Sequence, residues 1–255
     1  MKIERIYSAT RVNEVVNHPD VYPWVHGTIV GPLDLTPLAE DRRNVILWGE
    51  QGGIAFLMVQ PGIYEAHAQA LPEGRGRWML DFTWAALHWM FTKTDAMEVV
   101  TRVPRGNFGA RALAKAVGFT KEFSRPDGWV YDHRPVPVEV WSLQLQGWMK
   151  SAPNLVEEGI RFHNELGAEY IRMGKIDPIH PDDDNHDRYV GAAVAMVKGG
   201  QPFKALVFYN RWAKLAGYKE ISLLKAEPVI IDIQESILMF KNDTMRVMAC
   251  QSQPG

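Results

Sequence analysis

The chain has 255 residues, a net charge of −2 and a hydrophobic fraction of 46%. A near-neutral chain gives no strong signal for nucleic-acid binding, although a local basic patch stays open. A single cysteine, Cys250, excludes an intrachain disulfide. No apolar run approaches the roughly 18 residues of a membrane span. The N-terminus lacks the apolar region of a signal peptide, so we expect a protein that is cytoplasmic when synthesised.

The first part of the chain opens with regular elements and then becomes irregular. Lys2 to Tyr7 alternates in polarity and predicts a strand, and Thr10 is the expected N-cap of a short helix that ends at Val16. Residues 21–42 are rich in proline, glycine and aromatic residues, which predicts a long irregular connection. Residues 44–60 form a predicted hairpin that turns at Glu50-Gln51-Gly52.

The central run, residues 63–119, predicts strand, helix, strand and helix in that order. Ile63–Leu71 alternates in polarity and ends before Pro72. Two apolar rows at helical spacing predict a helix over Arg77–Lys93. Met97–Val103 reads as a buried strand. Asn107 then caps a helix through Ala116, with Gly118 placed for its C-terminal turn.

Two further strands are predicted after this run, at Thr120–Ser124 and at Trp129–Gln146, where the prolines at 135 and 137 favour an edge position or a bulge. The length of the chain predicts two domains, residues 1–148 and residues 149–255. In the second we expect helices at 154–166, from 184 or 185 to 198, and at 202–216. Strands follow at 219–225, 228–241 and 244–250, and the last two form a hairpin at Asn242-Asp243.

Two motifs of the central run resemble those of the GNAT superfamily of acyl-CoA N-acyltransferases. The first is Leu-Pro-Glu-Gly-Arg-Gly-Arg at residues 71–77, and the second is Asn107-x-x-Ala110-x-x-Leu113-x-Lys115-x-x-Gly118-Phe119. The resemblance covers residues 1–145. It implies an α/β (α+β) protein with a GNAT-like mixed central sheet flanked by helices. The C-terminal helical region, ending in a β-hairpin, is an addition to it.

The resemblance also implies candidate site residues. Glu65 and His67 share the strand face that lines the acyl-transfer site in GNAT-like enzymes, so either is a candidate general base; the alternative is a polar pair on a half-buried face. Arg75, Gly76 and Arg77 are candidates for holding the cofactor phosphates, or else a solvated loop. Asn107 is either a cofactor contact or only a helix cap.

The chain departs from the family pattern at three positions. Trp78 and Leu80 occupy positions of the phosphate loop where the family has small residues, and the indole is expected to fill the pyrophosphate site. Ala114 occupies the position of the family's frequent tyrosine acid and cannot move a proton. These departures predict a GNAT scaffold without a cofactor; the alternative is a scaffold that still binds acetyl-CoA.

A further group of acidic and histidine residues was considered as a metal site. Three consecutive aspartates before a helix are what the helix dipole favours, so no metal site is predicted there. The group consists of His180, Asp182, Asp183, Asp184, His186 and Asp187.

Two functions follow from these observations. The first is a catalytically degenerate structural protein of a homo- or hetero-oligomeric assembly. A weaker resemblance to GNAT-like proteins encoded among tailed-bacteriophage virion genes places it in the virion, at the head–tail connector. Its predicted protein contacts are Trp84, Trp89 and Trp212, because aromatic residues are favoured at interfaces. The alternative is an active acetyl-CoA-dependent N-acyltransferase that acts on a primary amine, with Glu65 or His67 as base.

Overall fold

The computed structural model describes residues 2–151 and 199–215, together with 172–174, 189, 192, 193 and 196. The chain divides into two compact units, residues 1–152 and 153–255. In the second unit the described helix is Pro202–Leu215 (α7), as predicted. The other predicted helices and the terminal strands and hairpin lie mostly or wholly outside the described residues, as does the acidic group at 180–187. No helix in the described part of the chain is both long and apolar enough to cross a membrane.

The first unit is built on one mixed sheet of seven strands in the order β1-β2-β3-β4-β5-β7-β6. Every neighbouring pair is antiparallel except β4 and β5, which are parallel. The strands are β1 (Glu4–Ile6), β2 (Val45–Trp48), β3 (Gly52–Gln60), β4 (Ile63–Ala70), β5 (Glu98–Pro104), β6 (Thr120–Tyr131) and β7 (Arg134–Gln144). A mixed sheet flanked by helices is the predicted fold class.

Six α-helices accompany this sheet. They are α1 (Thr10–Val16), α2 (Tyr22–Val25), α3 (Thr36–Glu40), α4 (Arg77–Lys93), α5 (Phe108–Ala116) and α6 (Leu145–Ser151), and a 3₁₀ turn at Pro72–Gly74 precedes α4. Helix α4 has its predicted bounds. Helix α5 is capped as predicted: the Asn107 side-chain oxygen accepts a hydrogen bond from the Ala110 amide at 3.0 Å. Gly118 follows with a φ of 92°, the left-handed conformation expected after a helix.

The packing of α1 shows which face of the sheet carries the candidate base. Buried valines of α1 (Val12, Val15 and Val16) form a core cluster with Ile46 and Ala55 of the sheet. Ala55 is the cross-strand partner of His67. Because cross-strand partners point to the same face, His67 lies on the α1 side of the sheet. Glu65 and Gln69 share that side, since side chains alternate along a strand.

Three expectations for the first unit are corrected. Helix α1 is preceded by Ala9 at the N-cap position, and Thr10 is its first residue. The connection at 21–42 contains the short helices α2 and α3. The run predicted from Trp129 to Gln146 is interrupted by a turn at Asp132 and His133, where β6 ends and β7 begins. The prolines at 135 and 137 lie beyond the β5 ladder, which ends at Val138, and Pro137 lies opposite a shift in the register of β6, between Arg125 and Trp129, as the predicted bulge allows.

Candidate functional site

The site lies at a fork, the place where the two parallel strands β4 and β5 stop pairing and separate. Strands β4 and β5 pair only from Ile63 to Glu65 and from Glu98 to Val100. Beyond that point β4 continues to Ala70 and β5 to Pro104, each held by its other neighbour. At the base of the fork the Thr101 hydroxyl donates to the Ala66 carbonyl at 2.9 Å, which satisfies a strand carbonyl that has lost its ladder partner.

A cleft of about 720 Å³ occupies the mouth of this fork, a volume within the usual range of small-molecule sites. It is bounded by the loop that leads into α4 and by the start of α5. Its lining includes Arg75, Gly76, Met79, Leu80, Asn107 and Phe108. A smaller cavity of about 120 Å³ lies deeper and shares Trp24, Gln69 and Asn107 with the cleft. It reaches His67 and Arg102. The cleft and the inner cavity thus adjoin at shared residues, and together they extend from the start of α4 to the candidate base.

The start of α4 is suited to an anion. Gly76 has a φ of 79° at the N-cap, and among the described residues no side chain caps the helix. No described atom outside its chain neighbours lies within 4 Å of the point that a Cβ on Gly76 would occupy. The first-turn amides of a helix have no intrahelical acceptor, and the helix dipole adds a partial positive charge there. The cleft therefore ends at a site that can accept a phosphate group.

The expectation that Trp78 fills the phosphate site is wrong. Its indole stacks on Phe82, with ring centroids 5.1 Å apart, and packs on the β2–β3 turn. A Cβ on Gly49 would lie 2.9 Å from Trp78 Cζ2, and one on Gly74 would lie 3.4 Å from Trp78 Cε3. Because the helix begins at Arg77, the glycines of the loop are Gly74 and Gly76, and Trp78 is already a helical residue that points at Gly49.

This position of the indole can be tested by a double-mutant cycle. We expect Gly49→Ala to lower the free energy of unfolding by about 1–3 kcal/mol, because the added methyl group overlaps the Trp78 ring. In a Trp78→Ala background the same change should cost clearly less, with the residual due to Phe82, which lies 3.0 Å from the same point. Urea unfolding of the four proteins measures the coupling. If the losses of unfolding free energy in Gly49→Ala and Trp78→Ala were simply additive, the packing of the indole on Gly49 would be contradicted.

The candidate base is part of a three-residue network. Glu65 accepts hydrogen bonds from Arg102 Nε at 2.7 Å and Nη2 at 3.1 Å. His67 Nε2 lies 3.2 Å from Glu65 Oε1. Burial raises the pKa of the Glu65 carboxyl, but the hydrogen bonds from His67 and Arg102 outweigh it and hold the pKa at about 2. An ionised carboxylate only accepts, so the tautomer of His67 that suits this contact has its proton on Nε2 and its lone pair on Nδ1.

The structure brings some of the predicted site residues together and separates others. His67, Asn107 and Ala114 line the inner cavity, and Arg75 and Gly76 line the cleft. Arg75 also donates to the Asp20 carbonyl at 3.0 Å. Arg77 instead extends along the surface of α4, where it binds Asp81 at 2.9 Å and its side chain is 84% exposed. Asn107 serves as a helix cap and lines the cleft at the same time.

Gln69 is a site residue that the sequence did not single out. It lines both the cleft and the inner cavity and is 7% exposed. Its side-chain oxygen Oε1 is buried and has no hydrogen-bond partner among the described residues. Such an acceptor is costly unless a ligand supplies a donor. The available signal was the polar alternation of β4, which places Gln69 on the face of Glu65 and His67.

Aromatic side chains form the wall of the inner cavity on the α1 side. Trp24 of α2 and Trp129 of β6 both line it. The Trp129 indole donates to the Trp24 carbonyl at 3.1 Å, and the Trp24 ring lies 4.2 Å from that of Tyr131. The connection at residues 21–42 thus contributes to the cavity wall a short helix, α2, that is fixed to β6.

The predicted interface tryptophans lie on two helices. Trp84 and Trp89 of α4 are half-buried. The Arg5 guanidinium lies 5.7 Å from the centroid of the Trp89 ring, so part of that ring is covered by β1 of the same chain. Trp212 belongs to α7 in the second unit. Their role as protein contacts stays a prediction.

The comparisons with known proteins concern this first unit. No protein-family model and no curated protein sequence matches the chain. A point mutant of spermidine N-acetyltransferase SpeG from Vibrio cholerae is similar in structure, with 14% identity and a TM-score of 0.50 over 60% of this chain and all (100%) of that chain. A structure of spermidine N-acetyltransferase from the same organism, in complex with CoA and spermine, gives 12% identity and a TM-score of 0.50 over 58% of this chain and 97% of that chain.

The first unit has the GNAT fold. At such low identity the similarity concerns the fold and not the reaction. In this unit the cleft lies at the fork and is lined in part by the residues that precede and begin α4. The resemblance of residues 71–77 and 107–119 to the family is thus confirmed at the level of the fold.

Proposed function

We propose that the GNAT unit is an acyl-CoA-dependent N-acyltransferase that acts on a primary amine. The observation that carries the proposal is a pair of adjoining spaces that share Gln69, whose side-chain oxygen has no partner among the described residues: the cleft contacts the uncapped start of α4, and the inner cavity contacts His67. The departures from the family pattern at Trp78 and Leu80 obstruct neither space. Trp78 packs on Gly49, and Leu80 contributes an apolar side chain to the lining of the cleft.

The residues present fit coenzyme A. The amides at the start of α4 and the Arg75 side chain would hold the phosphates, since both offer positive charge to an anion. Gln69 Oε1, buried between the cleft and the cavity, would accept a hydrogen bond from an amide of the pantetheine arm. When bound, acetyl-CoA supplies an acyl group activated as a thioester.

The residues of the chain would handle the proton. A primary amine attacks only when it is neutral, and it must lose a further proton as the new N–C bond forms. His67 is placed to take that proton on Nδ1, because Nε2 donates to Glu65. Glu65, with its pKa held at about 2, is a weak base and acts as the group that orients the imidazole. Arg102 keeps Glu65 ionised. Ala114 supplies no acid for the departing thiolate, which is thus left to take its proton from solvent.

The acceptor amine is proposed from two observations. The inner cavity has an aromatic wall, Trp24 and Trp129, and rings of this kind favour a cationic or apolar chain beside them. The similar structures named above are spermidine N-acetyltransferases. Spermidine is therefore the first acceptor to test, followed by monoamines of the same length.

Binding of CoA tests the proposal directly. Titration calorimetry and thermal unfolding of the full chain should show a single site, and CoA at 100 times its Kd should stabilise the protein by about 2.7 kcal/mol. Gln69→Met should weaken CoA binding about two- to tenfold, the value of one hydrogen bond. The same change should leave the CoA-free protein equally or more stable, because it removes an unsatisfied buried oxygen.

The control is Gln144→Met, which makes the same change at an exposed position of β7. It should leave CoA binding unaltered. The absence of both heat and stabilisation at millimolar CoA would overturn the proposed function. Equal CoA affinities for Gln69→Met and wild type would remove Gln69 from the site without touching the rest.

The structural role in a virion assembly stays a prediction. Its main support was the expectation that Trp78 fills the phosphate site, and the contacts of Trp78 with Gly49 and Phe82 remove that support. The comparisons concern acetyltransferases and bring no observation in its favour.

A further inference from the structure

Three side chains with metal-binding atoms meet where α2 ends and the β6–β7 turn begins. They are His26, Asp132 and His133, and one ligand atom from each lies within 4.8 Å of the others. None of them lines the cleft or the inner cavity in the described structure. The cluster is thus separate from the proposed acetyl-transfer site.

His26 is held in one orientation. It is 4% exposed, and its ring stacks on Tyr22 with centroids 4.4 Å apart and planes 4° apart. Nδ1 lies 3.2 Å from the Ile29 carbonyl oxygen. A carbonyl only accepts a hydrogen bond, so Nδ1 carries the proton and Nε2 carries the lone pair. A backbone carbonyl on one ring nitrogen is how proteins orient a histidine whose other nitrogen binds a metal.

The other two ligands stand on a strained turn. In the part of the chain that the structure describes, Asp132 and His133 are the only non-glycine residues with positive φ, at 46° and 61°. Two-residue hairpin turns of this kind favour Asn-Gly or Asp-Gly because glycine adopts positive φ without strain. The His133 ring lies 4.9 Å from that of His26, edge to face. Backbone strain of this kind is concentrated at functional sites, so a ligand-binding role of His133 would account for it.

We propose that His26, Asp132 and His133 form a site for a divalent transition-metal ion of the zinc type. Two imidazoles and one carboxylate suit Zn²⁺ and leave a fourth position for water, whereas Mg²⁺ and Ca²⁺ prefer oxygen ligands alone. Metal–ligand distances of about 2.0–2.2 Å require the exposed side chains of Asp132 and His133 to close on the fixed His26. The bound ion would join α2 to the β6–β7 turn.

Zinc binding to the full chain tests this site. After treatment with a chelator and dialysis, calorimetric titration with ZnCl₂ should show one ion per chain, and the ion should raise the melting temperature. MgCl₂ should do neither. His133→Ala should lower the zinc affinity by about 100-fold or more and abolish the shift in melting temperature. His18→Ala, which removes another partly exposed histidine of the same unit, should change neither.

A second variant separates metal binding from folding. His133→Gly removes the ligand and also the positive-φ strain, so it should raise the melting temperature of the metal-free protein while abolishing the zinc-induced shift. Three results would overturn the proposal: wild type that binds no zinc, His133→Ala that binds it as tightly as wild type, or a loss confined to His18→Ala. None of these results depends on acetyl transfer.

Discussion

Replacing His67 by glutamine should lower kcat/KM for acetylation of the accepted amine by about 10²–10⁴-fold, the usual contribution of a general base. Glutamine can still donate a hydrogen bond to Glu65, which preserves the network, but it cannot take a proton. The Kd of CoA should stay within about twofold of wild type, because His67 lines the inner cavity and not the cleft at the start of α4. Release of the CoA thiol measures the rate, and calorimetry measures the affinity.

The comparison that sharpens this experiment is Glu65→Gln. A positioning residue should matter less than the base it orients, so this variant should lose clearly less activity than His67→Gln. A larger loss in Glu65→Gln would make Glu65 the base. If His67→Gln kept the wild-type rate, the proton would have to leave by another route and the assignment of His67 would be wrong.

Glu65 should also stabilise the folded protein in a pH-dependent way. Its pKa is held at about 2, against an ordinary value of 4.5, by the contacts with His67 and Arg102. A carboxyl with a lowered pKa contributes stability that is fully present above its unfolded pKa and is lost as the pH falls through the folded pKa. Because the Arg102 side chain is 45% exposed, solvent screens the pair. We therefore expect about 1–2 kcal/mol at pH 7.

Urea unfolding of wild type and Glu65→Gln between pH 7 and pH 2 measures this contribution. The wild type should be the more stable at pH 7, and the difference should shrink as the pH falls from 4.5 towards about 2. Asp81→Asn is a suitable control, because Asp81 pairs with Arg77 on the exposed surface of α4. Exposed pairs contribute little, so its difference from wild type should be small. A difference for Glu65→Gln that stays constant down to pH 2 would contradict the lowered pKa.

Elements whose structure depends on neighbouring residues could be predicted from the sequence. Arg77–Lys93 has the predicted bounds, because its apolar rows extend from the glycine-rich loop to the end of the helix. The cap at Asn107 and the left-handed Gly118 could likewise be predicted from neighbouring residues. The mixed central sheet followed from the family resemblance, whereas the fork between β4 and β5 was not predicted.

Features that depend on contacts between distant parts of the chain could not be predicted from the sequence. The direction of the Trp78 ring depends on its contact with Gly49, and strands β3 and β4 separate these two residues in the sequence. Comparison of loop positions one by one therefore placed the indole in the phosphate site. The lack of a partner for Gln69 is also a property of three-dimensional packing. The β6–β7 turn was missed because Asp132-His133 contains no glycine, the residue that usually marks such a turn.

The bond from the Trp129 indole to the Trp24 carbonyl makes one boundary of the inner cavity from two distant stretches of chain. The length and bulk of any molecule admitted there would then depend on Trp129 and also on other residues of the β6–β7 hairpin, which hold Trp129 in place without lining the cavity themselves. A change of side chain along β6 that tilts the hairpin would widen or narrow the chamber without altering His67. Selectivity among amines could thus drift during evolution while the proton-handling residues stay fixed.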